Sequence, residues 1–250
     1  MKATPHHTRK KRHDFSHSRH TKNMKNPTRF SISRRALLQN ISLLCGAALL
    51  PARASSIENT QPAFIYAMAL VPPPDIAAAC SEIRKQFDPS RSNKTFPHIT
   101  LKQPLTMMGN QKTAEQALLQ ATKNICAQHD PLQIALEQVD RFDSPTHGTV
   151  VHVRVTLSPE LQQLQQKLVQ AISAIGGMAE HLTVAQEIQT YYPHLTLAQG
   201  LSHEAATLAM ASNTDAVTQK QFTADSIVVG RCGADQVWKK IGVFALSGHS

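Results

Sequence analysis

Between Ala63 and Leu246 the apolar positions fall into two rhythms, period two and period near 3.6, that replace each other in turn. Ala63 to Val71 is apolar and partly alternating, which predicts a first strand, and Pro72-Pro73-Pro74 stops it. Pro74 and Asp75 then open a helix in which Ile76, Ala79, Ile83 and Phe87 return at roughly helical spacing. Asp88 to Asn93 is a loop, and it delivers a strand over about His98 to Leu105. A second helix, Lys112 to Gln128, carries Ala114, Ala117, Leu118, Ala121 and Ile125 on one side and halts at His129-Asp130-Pro131. Leu132 to Val139 and Thr149 to Leu157 predict a hairpin around Ser144 to Gly148. Ser158-Pro159-Glu160 caps a helix to Ile175, with Leu161, Leu164, Leu168, Ala171 and Ile175 on one face, and Gly176-Gly177 ends it. A loop leads to a strand at His194, Ser202 starts a helix through Met210, and strands Ser226 to Gly230 and Val237 to Leu246 close the chain. This order predicts an α+β body of two lobes, each a sheet with helices on one face.

One phrase occurs in both halves. Phe96-Pro97-His98-Ile99-Thr100-Leu101-Lys102-Gln103 is echoed by Tyr192-Pro193-His194-Leu195-Thr196-Leu197-Ala198-Gln199. Alternate side chains of a strand share a face, so His98 and Thr100 point one way while Ile99 and Leu101 point the other. His194 and Thr196 repeat the arrangement over Leu195 and Leu197. A His followed two residues later by Thr is cheap, since four of the eight histidines after residue 54 have it, and His181-Leu182-Thr183 is a third strand-like copy. That copy lacks the aromatic-Pro lead and the trailing Leu-x-Gln, and it reads as a loop or helix start. The full-length match is what singles out His98 and His194. Two such faces meeting across a groove would gather two imidazoles and two hydroxyls around one small ligand.

Charge changes the picture only at the N-terminus. The chain has 26 Lys+Arg against 17 Asp+Glu, but residues 1–54 hold 12 of the former and one of the latter. Residues 55–250 are therefore near neutral and have no basic excess with which to grip a long nucleic acid. The leader contains Ser33-Arg34-Arg35-Ala36-Leu37-Leu38, a mildly apolar run from Ala36 to Leu50 too short for a comfortable membrane span, and the small-x-small site Ala52-Arg53-Ala54. Met24 offers a second start. The pattern is similar to a twin-arginine export signal and predicts a periplasmic or secreted protein, brought out by the twin-arginine machinery and not stably inserted in a membrane afterwards. The alternative is an uncleaved amphipathic anchor. Cys80, Cys126 and Cys232 remain beyond the leader, without metal-ligand spacing, and Cys80 and Cys126 sit in apolar helical patterns as small hydrophobes.

Two His-x-Thr motifs on strands in the two halves of an α+β body, followed by a last strand pair carrying Trp238, resemble the 2H phosphoesterase superfamily. The nearest branch is the bacterial 2′-5′ RNA ligase-like, or RNA 2′,3′-cyclic phosphodiesterase, group, and the resemblance covers about Phe64 to Leu246. It implies a bilobal duplicated sheet-plus-helices fold with a central groove between the two His-x-Thr strands. It further implies His98, Thr100, His194 and Thr196 as the catalytic set, with no metal and no cofactor. The chain departs from the family after the first motif, where Lys102-Gln103-Pro104-Leu105 replaces an aromatic followed by Leu-Gly.

The chemistry can be argued from the residues as well. Opening a cyclic phosphodiester needs a base to take a proton from water and an acid to protonate the departing ribose oxygen, and imidazoles can do both. Hydroxyls of Thr100 and Thr196 would stabilise charge gathering on the non-bridging oxygens. Either His could take either role, and with a ribose hydroxyl as nucleophile the same site is a ligase. Around this set, Phe96 and Tyr192 share the face of the histidines and either stack on a base or pack at the rim. Lys102 continues the face of Thr100, as a phosphate contact or a solvated lysine. Arg154 alternates with Val153 and Val155 and is a phosphate-donor candidate. Trp238 is expected in the core. The expected partner is a small nucleotide or RNA end bound by a monomer. The alternatives are a periplasmic nucleotide-binding module without turnover, or a phosphodiesterase for a non-RNA cyclic phosphate or a 2′-5′ linkage.

Overall fold

A computed structural model describes residues 64–248 except 109 and 213. The export leader expected over residues 1–54 lies outside the described residues. The strands are β1 (Ile65–Leu70), β2 (Ile99–Met107), β3 (Leu132–Ser144), β4 (Gly148–Val155), β5 (Met178–Glu180), β6 (His194–Leu201), β7 (Gln221–Ala224), β8 (Ser226–Cys232) and β9 (Trp238–Ala245). The helices are α1 (Pro74–Phe87), the single turn α2 (Pro89–Ser92), α3 (Gln111–Cys126), α4 (Pro159–Ser173), α5 (Val184–Gln189) and α6 (His203–Ala211). The predicted helices and strands are present to within a few residues. The segment before the second motif, expected as loop, contains β5 and α5, and β7 was not foreseen.

The caps follow local chemistry. The Ser158 hydroxyl accepts from the Leu161 amide to start α4, whose Leu161, Leu164, Leu168 and Ile172 are fully buried. Thr183 and Gln186 form a reciprocal capping box at α5. His181, the mimic of the motif histidine, is left exposed in the turn just before that helix. Gly148 closes the β3–β4 hairpin at positive φ, where a Cβ would lie 2.8 Å from the Gly200 carbonyl carbon.

All strand pairs are antiparallel, in the order β7-β3-β4-β6-β2-β1-β8-β9, with β5 paired to β2. The result is a curled half-barrel sheet with helices on its back face. There Met68, Leu70, Ile99, Leu101, Val151, Val153, Leu195, Leu197, Ile227 and Val229 meet Leu118 of α3 and Leu164 and Leu168 of α4 in one core. Burial of this apolar back face is the main favourable term in folding.

The two motif strands do not face each other across a groove. They are neighbours in one sheet, and they touch through a single residue pair, Ile99 with Leu195. The two halves of the sheet are nonetheless related by a pseudo-two-fold at that pair. On each side the motif strand carries one extra residue immediately after its Thr: Leu101 is unopposed in the β1–β2 ladder and Leu197 in the β4–β6 ladder. These paired β-bulges explain why Leu belongs to the repeated phrase, since a bulge re-aims the side chains that follow it.

Candidate active site

Antiparallel register around Ile99 and Leu195 sets the geometry. One step outward on each side, His98 comes opposite Thr196 and Thr100 opposite His194, all four on the front face. The histidines therefore stand on one diagonal and the threonines on the other. The Nδ1 of His98 donates to the Phe96 carbonyl at 2.8 Å, and the Nδ1 of His194 donates to the Tyr192 carbonyl at 2.8 Å. A carbonyl can only accept, so each bond sets the tautomer and leaves Nε2 as the nitrogen with the free lone pair.

Both rings are half-buried, and desolvation lowers the pKa of each. For His98 the drop reaches about 4, with desolvation the largest cause, the Phe96 carbonyl opposing it, and the Arg84 and His194 charges adding to it. The His194 value is lowered by burial, with the Tyr192 carbonyl opposing. Arg84 was not anticipated from sequence. It lies on α1 at 3 % exposure and donates 2.8 Å hydrogen bonds from Nη1 to the Thr95 carbonyl and from Nη2 to the Thr196 carbonyl. The guanidinium thus bridges the two motifs where β2 and β6 diverge.

The neighbouring strands complete the face. In the β4–β6 ladder His152 stands opposite Thr196 and Arg154 opposite His194. His152 is fully buried, stacked on Phe142 at 4.0 Å between ring centroids, with its edge toward His194 at 5.2 Å. Burial, followed by the His194 charge, pushes its pKa down to about 2 against the pull of the Val150 carbonyl. Tyr192 packs on Phe142 and His152, at 5.4 and 5.9 Å. Arg154 sits partly exposed beside His194 with its Nε 3.5 Å from Glu137. On the other flank Phe96 contacts the His98 ring edge-on at 5.6 Å.

Two expectations are corrected. Lys102 does not continue the face of Thr100: the bulge at Leu101 turns it to the back, opposite Met68. There it is 1 % exposed, 2.6 Å from Glu187 and 3.5 Å from Glu180, so it is neither a solvated lysine nor part of the front face. Trp238 is not in the core. It is half-buried on the front face and lies over Gly230 near Phe96. Cys80, Cys126 and Cys232 are buried and free, and among the described residues no cluster of metal-ligating side chains occurs. No helix among them is long and apolar enough to cross a membrane.

A sequence profile described as the 2′-5′ RNA ligase superfamily matches residues 72–236. The chain belongs to this superfamily. Membership rests on a match that spans both His-x-Thr motifs and most of the body. Solved structures agree in fold. The Thermus thermophilus protein TT0787 superposes with a TM-score of 0.52 at 13% identity, covering 74% of this chain and 100% of that one. Escherichia coli LigT complexed with 3′-AMP gives 0.50 at 16% identity, over 74% and 99%. At such identities the likeness is one of fold. No curated protein matches the chain. In this superfamily member the front face brings two imidazoles and two hydroxyls together around the Ile99–Leu195 pair.

Proposed function

We propose that this chain is a metal-independent phosphodiesterase that opens 2′,3′-cyclic phosphates of nucleotides or RNA ends by two-histidine acid-base catalysis. The diagonal placement of His98 and His194 about the Ile99–Leu195 pair carries the reading. A phosphate centred over that pair would have one imidazole on the side of the attacking water and the other on the side of the departing oxygen. Each imidazole has its Nε2 available and its Nδ1 engaged. Thr100 and Thr196, on the opposite diagonal, would donate to the two non-bridging oxygens.

The roles divide by electrostatics. The Arg84 cation behind His98 disfavours a positive charge there, so His98 is assigned the base and His194 the acid. The bound phosphate anion would then raise the His194 pKa and keep that ring protonated. With a ribose 5′-hydroxyl in place of water, the same forward steps form a 2′-5′ linkage: the new P–O bond goes to the 5′-oxygen, the bond to the 3′-oxygen breaks, and the acid protonates that departing oxygen. The twin-arginine-type pattern at residues 33–38 adds that the enzyme works outside the cytoplasm.

The deciding experiment is product analysis on nucleoside 2′,3′-cyclic phosphates in EDTA, with wild type, His98→Ala and His194→Ala. Monoester formation by wild type alone is expected. Loss of wild-type activity in EDTA with recovery on adding a divalent ion would overturn the mechanism.

A further inference from the structure

β2 and β6 part on either side of the Ile99–Leu195 pair, and side chains span the two gaps that open. In one gap Arg84 joins the carbonyl of Thr95 to that of Thr196. In the other the Tyr191 hydroxyl donates to the carbonyl of Thr100 at 3.2 Å. The two links are counterparts under the pseudo-two-fold. Thr95 lies three residues before His98, Tyr191 lies three residues before His194, and each is tied to the threonine of the other motif. Arg84 is the go-between in the first case, and in the second the tyrosine reaches across by itself.

Both threonine carbonyls sit at bulges. Each belongs to the peptide between a motif threonine and the unopposed leucine after it, Thr100–Leu101 and Thr196–Leu197. A bulge interrupts the ladder, so strand pairing alone holds such a peptide loosely. A shift of the Thr100–Leu101 peptide moves Thr100 and its hydroxyl relative to His194. The Tyr191 ring packs against the core, which gives its hydroxyl a fixed mounting. Burial, then the Glu187 charge, pushes the phenol pKa up, so the group stays a neutral donor at every working pH.

We propose that Tyr191 is a positioning residue, holding the Thr100–Leu101 peptide so that the Thr100 hydroxyl meets the reacting phosphate on the side of His194. The inference rests on the cyclic-phosphodiesterase reading and adds to it a residue that acts through Thr100 and not on the phosphate itself. Thr100 lies opposite His194, so the clamp works within one half of the quartet, as Arg84 does in the half made by Thr196 and His98. A cyclic diester gathers extra charge on its non-bridging oxygens only as the water attacks, so a misaimed Thr100 is felt in kcat and hardly in KM. Inorganic phosphate carries that extra charge from the start, and its binding feels the same fault without any turnover.

Tyr191→Phe keeps the ring against the core and removes only the donor. It should lower kcat on adenosine 2′,3′-cyclic phosphate by about tenfold, the scale of a small misplacement of reacting groups, and by no more than Thr100→Val does, with KM little moved. The loss should vanish in a Thr100→Val background, where no hydroxyl is left to aim, and persist in full in a Thr196→Val background. Affinity for inorganic phosphate, measured by calorimetry, should fall in the same pattern, and melting curves verify that each variant is folded. Equal losses in the two threonine backgrounds would mean a general slackening of the site and would overturn the assignment. No loss at all would also overturn it, and in both cases turnover by wild type leaves the phosphodiesterase reading intact. The phosphate pattern without turnover by wild type would uphold Tyr191 and sink the phosphodiesterase reading.

Discussion

The Arg84 guanidinium donates to the carbonyl of Thr196 at 2.8 Å, joining a helix of the first half to the motif strand of the second. The same side chain holds the Thr95 carbonyl at 2.8 Å, three residues before His98. Since β2 and β6 share one residue pair, this fork is a second tie between the two motif segments. Arg84→Lys keeps the charge but cannot span two carbonyls with one planar fork. It should lower kcat by about tenfold to a hundredfold, the scale of a small misplacement of reacting groups. Arg84→Met also removes the charge that depresses His98, so its acidic limb in a pH-rate profile should move upward while that of Arg84→Lys stays. Melting curves should show both variants destabilised by about 1–3 kcal/mol for each carbonyl left buried and unpaired.

His98→Ala and His194→Ala should each reduce turnover by about 10²–10⁴-fold, the usual contribution of one proton-transfer group. The double variant should lose far less than the product of the two, because a site lacking one partner already runs by a residual route. Thr100→Val and Thr196→Val should lose less, since each removes one donor to the developing charge. His181→Ala should match wild type, as His181 is exposed beside α5. Steady-state rates with melting temperatures separate lost chemistry from lost fold.

The quartet was legible in the sequence because strand alternation and a long repeated phrase are local properties. The pairing of the two motifs side by side was not, since register between β2 and β6 is decided by packing of the whole sheet. Lys102 shows the cost of extending alternation one residue too far: only the register exposes the bulge at Leu101 that turns it inward. Trp238 looked like core because an isolated tryptophan in an apolar strand usually is, and its face depends on the pairing of β8 with β9. Arg84 did leave a signal. It sits in the buried stripe of α1 with Ile76, Cys80 and Ile83, where a charge has to have a buried partner. His152 and Phe142 meet across a hairpin whose register Gly148 sets, and neither residue has a motif of its own.

Lys102 and Glu187 form a buried pair at 2.6 Å, and Glu187 also accepts from the Gln103 amide at 2.6 Å. Burial raises the Glu187 pKa in spite of the lysine, so the carboxylate depends on its partners to stay ionised. Lys102→Met should cost about 3–5 kcal/mol, because it leaves a charge buried and alone. Lys102→Met combined with Glu187→Leu should recover most of that loss. Because α5 immediately precedes the second motif, the single variant should also lower kcat. Chemical denaturation of the two single variants and the double variant measures the coupling.

The free enzyme should favour mildly acidic pH in kcat/KM. His98, proposed as the base, has its pKa lowered to about 4 by burial, so the acidic limb should lie well below the ordinary histidine value of 6.5. His194, proposed as the acid, has its pKa lowered by burial in the free protein, so the alkaline limb should fall below 6.5. Bound phosphate stabilises the imidazolium, and the alkaline limb of kcat should therefore lie above that of kcat/KM. Coincident limbs in the two profiles would contradict the assignment of His194 as the acid.

Stability should fall with acid for the same reason that the histidines are poised. His98, His152 and His194 all have folded pKa values below 6.5, so below that pH the unfolded chain binds protons that the folded chain declines. Their contribution is complete above about pH 6.5 and drains away as pH falls, through about 4 for His98 and onward to about 2 for His152. Each group can add a slope of at most about 1.4 kcal/mol per pH unit. His152 isolates the effect, because it is fully buried and stacks on Phe142 without touching solvent. His152→Phe keeps a ring for that stack and removes two desolvated nitrogens. The variant should melt higher than wild type at pH 5, and its melting temperature should change less between pH 7 and 5. It should leave the alkaline limb of kcat/KM in place, since His152 stays neutral wherever His194 titrates. Melting temperatures across pH 4–8 for the two proteins give the test. A His152→Phe curve parallel to wild type would mean that His152 is protonated and solvated in the folded protein.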